Sequence, residues 1–348
     1  MGGLLALPIW NTFMGEPTGA YLGWITAIYW LGNGVAFPVA AWASNRYGRR
    51  PGIYVGYAFL ILGVGMQGGA QNKTTFLVSR LFMGIASAWL GNGSPLLINE
   101  IAHPKHRPIA NALFMCGWYV GGTLCGWTTF GCRNIPSEWC WRIPVILQIA
   151  LPVIALPGFL ISPESPRWLI SVGRREEARE ILANYHAGGN KDDALVIYQM
   201  REIETTIAAE LEATASASYK DMIKTPGNRR RLLISISLGI FSQWAGNGIV
   251  SYYLPLILDS VGVTSVTDQT LISACLNVWN LLWAIFAAIS VDKLGRRLLF
   301  LLSGSIMLTS FIVVTGLSAT FAEGGSSKVG LAVIPFLFTF FMGYDIAL

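Results

Sequence analysis

The sequence predicts an all-α polytopic membrane protein, and three observations carry that prediction. Charged residues make up 12% of the 348 positions and hydrophobic ones 53%, with a mean hydropathy of +0.52. A soluble domain carries about 25% charged residues, roughly twice as many. Second, apolar runs of about 20 residues recur along the chain, the length a helix needs to span a bilayer. Third, the Lys and Arg residues fall mainly on one side. Threading the chain back and forth puts 19 of the 24 on one face and five (Lys73, Arg80, Arg133, Arg142, Lys328) on or towards the other. The rich side is therefore cytosolic. The net charge of +5 is explained by this topology, and no nucleic-acid partner is expected.

Nine full spans are predicted, at roughly 20–43, 52–71, 76–99, 108–131, 141–162, 232–259, 270–291, 298–321 and 329–348. Residues 1–13 form a tenth run of about half that length. The first run has no basic flank or small-residue cleavage site, so it is not a signal peptide. Asn72 opens an N-K-T sequon on the outer side, in a loop too short to favour glycosylation. Arg80 lies within the third full span. An Arg at a helix centre costs about 2.5–3.5 kcal/mol on insertion scales, so it should sit near the outer end or face a wet cavity. Cys116, Cys125 and Cys275 fall within spans as small apolar fillers. Cys132 and Cys140 flank an outer loop and could pair. His103 and His106 sit in a cytosolic loop, where solvation is the plain expectation.

The chain divides into a helical bundle at 1–162, a hydrophilic cytosolic linker at 163–231 and a second bundle at 232–348. "SPRWLISVGRREEAREILANYH" reads as helix, with Ser165 as cap and Pro166 in the first turn. Residues 194–214 form a second amphipathic helix. "FSQWAGNGIVSYYLP", 241–255, is unusual for a span: amides and phenols stand at its centre, and Gly246 and Gly248 loosen it. Intramembrane polar groups are costly and face a bundle interior. Amides both donate and accept, and aromatic rings cover apolar faces, which suits a ligand that is polar at its edge and apolar on its faces. Cross-helix bonding is the competing explanation for Gln243, Asn247 and Asn280, at about 0.6 kcal/mol each. An interfacial belt is the competing explanation for Tyr252.

The halves echo each other. "NRYGRR" at 45–50 follows the first full span, and "DKLGRR" at 292–297 follows the second full span after the linker, 247 residues later. Repeated bundles around a midplane site are the architecture of secondary transporters.

These motifs carry a resemblance to the sugar porter branch of the major facilitator superfamily. "NRYGRR" is similar to the family's D-R-x-G-R-R loop, with Asn45 in place of the usual Asp. "FMGIASAWLGNGSPLLINEIAHPKHR", 82–107, resembles the signature around the fourth helix, with Gly84, Glu100 and Arg107 in register and Ala88 for a usual Gly. "PESPRWL", 163–169, resembles the segment after the sixth helix, and "DKLGRR" the second-half loop. "QWAGN" is most similar to fungal lactose and cellodextrin permeases. The implied fold is the major facilitator fold, here with about nine full spans, a partial first helix and an incomplete second bundle. The implied activity is sugar transport by alternating access, of sugar:proton symport type, in a multi-pass protein of the plasma membrane.

The resemblance places Gln243, Asn247, Asn280, Tyr252 and Tyr253 in the sugar site. It places Arg46, Arg49, Arg50, Glu100, Arg107, Glu164, Arg167, Asp292, Arg296 and Arg297 in a cytosolic salt-bridge latch between the bundles. The implied partners are a sugar, a proton and the bilayer, with no cofactor and no metal. Three departures qualify this. The first-helix acid of proton-coupled members has no counterpart, the chain stops inside the tenth helix, and Met115 stands where an amide is expected. The expectation is a fragment that does not transport alone. A non-transporting sugar receptor on the same scaffold is the alternative. The three histidines are all cytosolic, and no metal spacing, nucleophile elbow or phosphate loop is present, so an enzyme is not expected.

Overall fold

A computed structural model describes residues 2–216, 218, 220–324 and 327–347; the side chains of 2, 214–216, 291–293, 296, 327 and 347 lie outside that description. Every element among the described residues is helical. The short opening run is two pieces, α1 (Gly2–Leu5) and α2 (Pro8–Met14), with Pro8 starting the second, where its missing N–H costs nothing. Then come α3 (Gly19–Tyr47), α4 (Arg49–Gly68), α5 (Lys73–Ile101) and α6 (Arg107–Cys132). The last span of the first half is α7 (Trp139–Ile146) and α8 (Ala150–Ile161), joined by a 3-10 turn at Leu147–Ile149. Pro144, Pro152 and Pro157 remove backbone donors along it, which accounts for the irregularity.

Among the described residues, eight helical stretches are long and apolar enough to cross a membrane. The sequence counts nine spans; the difference is α3, 29 residues long. Its Trp, Tyr, Gly and Asn residues dilute its hydropathy, yet it packs tightly into the bundle. Small residues let α3 and α5 cross closely. A Cβ on Gly32 would strike the Leu81 carbonyl, and one on Gly84 the Tyr29 carbonyl. Two apolar clusters hold the first half. One gathers Leu7, Trp10, Met14, Ile25, Phe76 and Trp141 at the outer end. The other joins Ile53, Tyr57, Leu60, Val64, Ala86 and Leu97 along α4 and α5.

The linker is folded. Its helices are α9 (Pro166–Ser171), α10 (Arg175–His186), α11 (Ala194–Ser216) and α12 (Asp221–Lys224). Ser165 caps α9, its hydroxyl accepting from the Trp168 N–H at 3.1 Å. Leu169, Ile170 and Ala178 form a small core, extended by Leu182, Ala183 and Val196. His186 ties this unit to the cytosolic end of α5, with one ring nitrogen 2.8 Å from the Ile101 carbonyl and the other 2.7 Å from Gln199 Oε1.

The second half opens with α13 (Pro226–Trp244) and α14 (Asn247–Ser260), followed by α15 (Val266–Leu294), α16 (Arg296–Ala322), α17 (Ser327–Leu331) and α18 (Val333–Ala347). The run expected to loosen at Gly246 breaks there, at φ +96°, a backbone angle natural only to glycine. Gly248 stays helical. A second departure falls at Tyr253 (φ −115°, ψ 20°), two residues before Pro255. Val250, Leu254, Leu258, Leu337, Phe340 and Phe341 form the core of this half. Leu233, Ile234, Phe241 and Trp244 of α13 are exposed, the kind of face that lipid covers.

The halves meet along α6 and α15. A Cβ on Gly126 would lie 3.0 Å from Ala274 Cα, and one on Gly122 2.7 Å from Asn277 Oδ1. Glycines four apart on one helix face let two membrane helices approach closely.

Candidate functional site

Two polar clusters lie inside this apolar framework, and each draws side chains from both halves. The first lines a cavity of about 250 Å³ bounded by Tyr29, Trp30, Gln67, Arg80, Met83, Trp118, Gln148 and Tyr252. Arg80 donates from Nε to the Ile25 carbonyl at 2.7 Å, and its guanidinium stands 5.8 Å from the Tyr29 ring centre. The intramembrane Arg thus faces a polar cavity, one of the two placements its cost allows. Gln148 donates to Gln67 Oε1 at 3.4 Å and to the Val145 carbonyl at 2.8 Å. Trp30 donates from its indole to the Tyr252 hydroxyl at 3.1 Å, bonding the first half to the second. Tyr252 therefore points inward, away from an interfacial belt.

The second cluster centres on Asp345, 6% exposed, on α18. Tyr119 on α6 donates its hydroxyl proton to Asp345 Oδ1 at 2.7 Å. Asn280 on α15, with its amide oriented by its neighbours, donates to Asp345 Oδ2 at 3.2 Å and to the Leu276 carbonyl at 3.0 Å. The adjacent Tyr344 interacts with Asn247. Asn247 Oδ1 is buried with no hydrogen-bond partner, a spare acceptor in the interior.

The five residues expected in a sugar site therefore lie in different surroundings. Asn280, Asn247 and Tyr252 are turned into the interior. Tyr253 packs against the outer apolar cluster of the first half. Gln243 is exposed in the last turn of α13 and makes no hydrogen bond among the described residues. Met115, where an amide was expected, is also exposed. Reading the sequence alone missed Asp345, Tyr119, Trp30, Gln67 and Gln148. Asp345 had a usable signal, a lone carboxylate in the apolar run 329–348. The others are aromatic or amide side chains with no distinguishing pattern.

The cytosolic charges form a knot around the loop at Gly48. Arg49 and Glu100 pair through two parallel bonds of 2.9 Å, both side chains nearly buried. A bidentate pair of this kind fixes direction as well as charge. Arg49 also donates to the Ser44 carbonyl. Glu164 accepts the backbone N–H groups of Arg49 at 3.0 Å, Arg50 at 3.1 Å and Ser165 at 2.9 Å, so one carboxylate caps the start of α4. Gly48 (φ +101°) leaves room for it. Arg50 reaches the Tyr54 hydroxyl and the Leu160 carbonyl. Arg167 pairs with Glu210 of the linker at 2.5 Å. Arg107 donates to the Ala102 carbonyl. Arg46 and Arg297 are exposed and make no ion pair among the described residues. The side chains of Asp292 and Arg296 lie outside the described residues. Among the described residues, these contacts join the first half to itself and to the linker.

On the same face His103 lies 5.8 Å from the His106 ring centre and 5.3 Å from that of His186. Desolvation first, then His186, His106, Lys105 and Arg107, push the His103 pKa below its ordinary value. At the outer end Cys132 and Cys140 are buried free thiols. Asn72 caps α5, its side-chain oxygen accepting from the Thr75 N–H at 2.8 Å.

Two helical lobes with related loops, joined along close-packed helices and sharing inward polar groups, define a polytopic membrane protein of the major facilitator fold. The fold is shared with solved sugar carriers. The xylose transporter XylE from E. coli, in a partially occluded inward-open conformation, aligns with a TM-score of 0.77 at 22% identity, over 99% of this chain and 79% of that one. Residues 11–348 match the family described as sugar (and other) transporter, and the chain belongs to that family. It is 27% identical to a high-affinity glucose transporter of Kluyveromyces lactis over 93% of this chain and 59% of the relative. It is 30% identical to the MFS-type transporter oryC of Aspergillus oryzae over 94% of this chain and 61% of the relative. The chain thus spans about three fifths of the length of these curated relatives.

Proposed function

We propose that this chain is the greater part of a carrier that moves a sugar across the membrane by alternating access of its two halves, together with a proton. The observation that supports this best is the pair of polar bridges between lobes, Trp30 to Tyr252 and Tyr119 to Asp345 with Asn280 behind it. A sugar entering such a cleft exchanges water for amides, phenols and indole N–H groups, and in doing so competes with bonds that hold the lobes together. Binding and rocking are then one event. Asn280, Asn247 and Tyr252 are the inward contacts, with Gln243 and Tyr253 brought in when the lobes rotate. The Arg49, Glu100 and Glu164 knot serves as the first-half part of a cytosolic latch, which Arg46, Arg50, Arg107, Arg167, Asp292, Arg296 and Arg297 complete when the lobes close on that side. The nearly buried Arg49–Glu100 pair holds the first half in one piece, while exposed pairs such as Arg167–Glu210, worth about 0–1 kcal/mol each, suit contacts that must break every cycle. The "QWAGN" stretch favours a disaccharide such as lactose or a cellodextrin, and the plasma membrane is the expected location.

Support comes from the family match and from relatives named as glucose and sugar transporters. One solved neighbour is titled a proton:xylose symporter. The test is sugar binding and counterflow, on the chain extended to the length of its relatives, in liposomes preloaded with unlabelled lactose, glucose or xylose. Saturable accumulation of the labelled sugar, lost in Asn280→Ala and Gln243→Ala, is the expected result. Binding without counterflow would instead make the chain a receptor, and no saturable binding of any of the three would remove the sugar reading.

A further inference from the structure

Asp345 is a buried carboxylate inside a bilayer-spanning helix with no cation beside it. Burying an unpaired charge is costly, and an ionisable group kept within a membrane span marks a substrate or proton path. The groups around it are countable. From α6 it meets Tyr119, with Cys116 one turn before; from α15, Asn280; on its own helix, Tyr344; and beyond that, Asn247 and Tyr252 of α14. α16 meets α18 through Ile306, Met307 and Phe311, which are uncharged. Lys328 of α17 lies at the far end of α18, some 18 Å or more away at about 1.5 Å per residue. No Lys, Arg or His among the described residues pairs with Asp345.

We infer that Asp345 is the residue that binds and releases the transported proton, and that its proton controls whether Asn280 is free to hold sugar. This rests on the carrier reading above and adds to it the identity of the coupling group. An ionised carboxylate is acceptor-only and can take about four hydrogen bonds. Here it holds two donors, Tyr119 of the first half and Asn280 of the second, so it ties the lobes together and occupies the Asn280 amide. Taking one proton from water forms an O–H bond on one oxygen and turns that oxygen into a donor. The oxygen that takes the proton is Oδ2, which faces Asn280; Tyr119 keeps donating to Oδ1. The Asn280 N–H cannot accept from the new O–H, so it lets go of Oδ2 and is released to a sugar hydroxyl. Returning the proton to water on the opposite side restores the tie and expels the sugar.

The experiment uses the purified chain in liposomes, with tritiated lactose and glucose as probes. Affinity is measured from acidic to mildly alkaline pH for the parent, Asp345→Asn and Asp345→Glu, alongside infrared titration of the carboxyl stretch. The parent should bind more tightly as pH falls, by up to about tenfold per pH unit, the slope of one linked proton. Asp345→Asn should bind with no pH slope, and Asp345→Glu should keep the slope with a moved midpoint, which also shows that the site tolerates substitution. The parent should show a titrating carboxyl band that is missing from Asp345→Asn. A pH slope surviving in Asp345→Asn, or an identical band in that variant, overturns the inference. If neither sugar binds the parent, the carrier reading fails on its own, and the infrared titration still decides whether Asp345 exchanges a proton.

Discussion

Gly84→Ala tests the packing on which the inward cavity depends. Gly84 sits where α5 crosses α3, and an added Cβ would run into the Tyr29 carbonyl, while lying 2.9 Å from Asn33 N and 3.0 Å from Tyr29 C. All three atoms are backbone, so no rotamer change relieves the overlap. The helices must part by about 1 Å, a gap that forfeits a quarter to a half of the dispersion energy of each facing contact. Gly32, about one turn from Tyr29 on the facing helix, loses its own close approach to Leu81 at the same time. Overpacking costs about 1–3 kcal/mol, and a clash with backbone falls at the upper end. The comparison is Gly65→Ala on α4, where a Cβ meets nothing within 4 Å. Better helix propensity stabilises by up to about 1 kcal/mol at both helical positions and cancels in the comparison. The twin substitutions should thus differ by the overpacking alone, about 3 kcal/mol. Equilibrium unfolding in mixed micelles, followed by the fluorescence of the 13 tryptophans, measures both. If Gly84→Ala unfolds within 1 kcal/mol of Gly65→Ala, the close crossing of α3 and α5 is wrong, and with it the placement of Tyr29, Trp30 and Arg80 around one cavity.

Gly246→Ala forces a side chain into a left-handed backbone and onto the Phe311 ring. A loss of about 1–3 kcal/mol is expected, and an unchanged melting point would mean that the break between α13 and α14 lies elsewhere. Asn72→Ala removes the cap of α5 and should cost about 1 kcal/mol with no change in gel mobility; a mobility increase would show that the sequon carries a glycan. Because the His103 pKa lies lower in the folded state, the unfolded chain binds more protons as pH drops. Stability should therefore be whole above the ordinary value of 6.5 and decline as pH falls through and below it. Chemical denaturation of His103→Asn across that range should show a shallower acid decline than the parent, and parallel curves would count against the assignment.

Much of the architecture is legible in residue order because the bilayer acts on single segments. A run of about 20 apolar residues has few options in lipid beyond forming a helix. Loop charges orient the runs one by one. Glycine at 246 and serine at 165 act on their own neighbours, so the helix break and the cap of α9 could be foreseen locally. The same holds for the repeated Gly-Arg-Arg loops and for the family they point to.

The direction in which each polar side chain faces is a different matter. In a membrane helix both the lipid face and the packed face are apolar, so periodicity gives no compass. Gln243 and Asn280 look alike in the sequence, yet one lies open on α13 and the other bonds Asp345. Arg80 asked for a wet cavity, but Tyr29, Gln67, Gln148 and Tyr252 come from four other helices to make it. Tyr119 and Asp345 stand 226 residues apart in the chain and 2.7 Å apart in space. Partnerships of that kind are settled when helices cross, through the clearance that glycines at 32, 84, 122 and 126 allow. Segment-by-segment free energies do not contain that information, and only the packed lobes do.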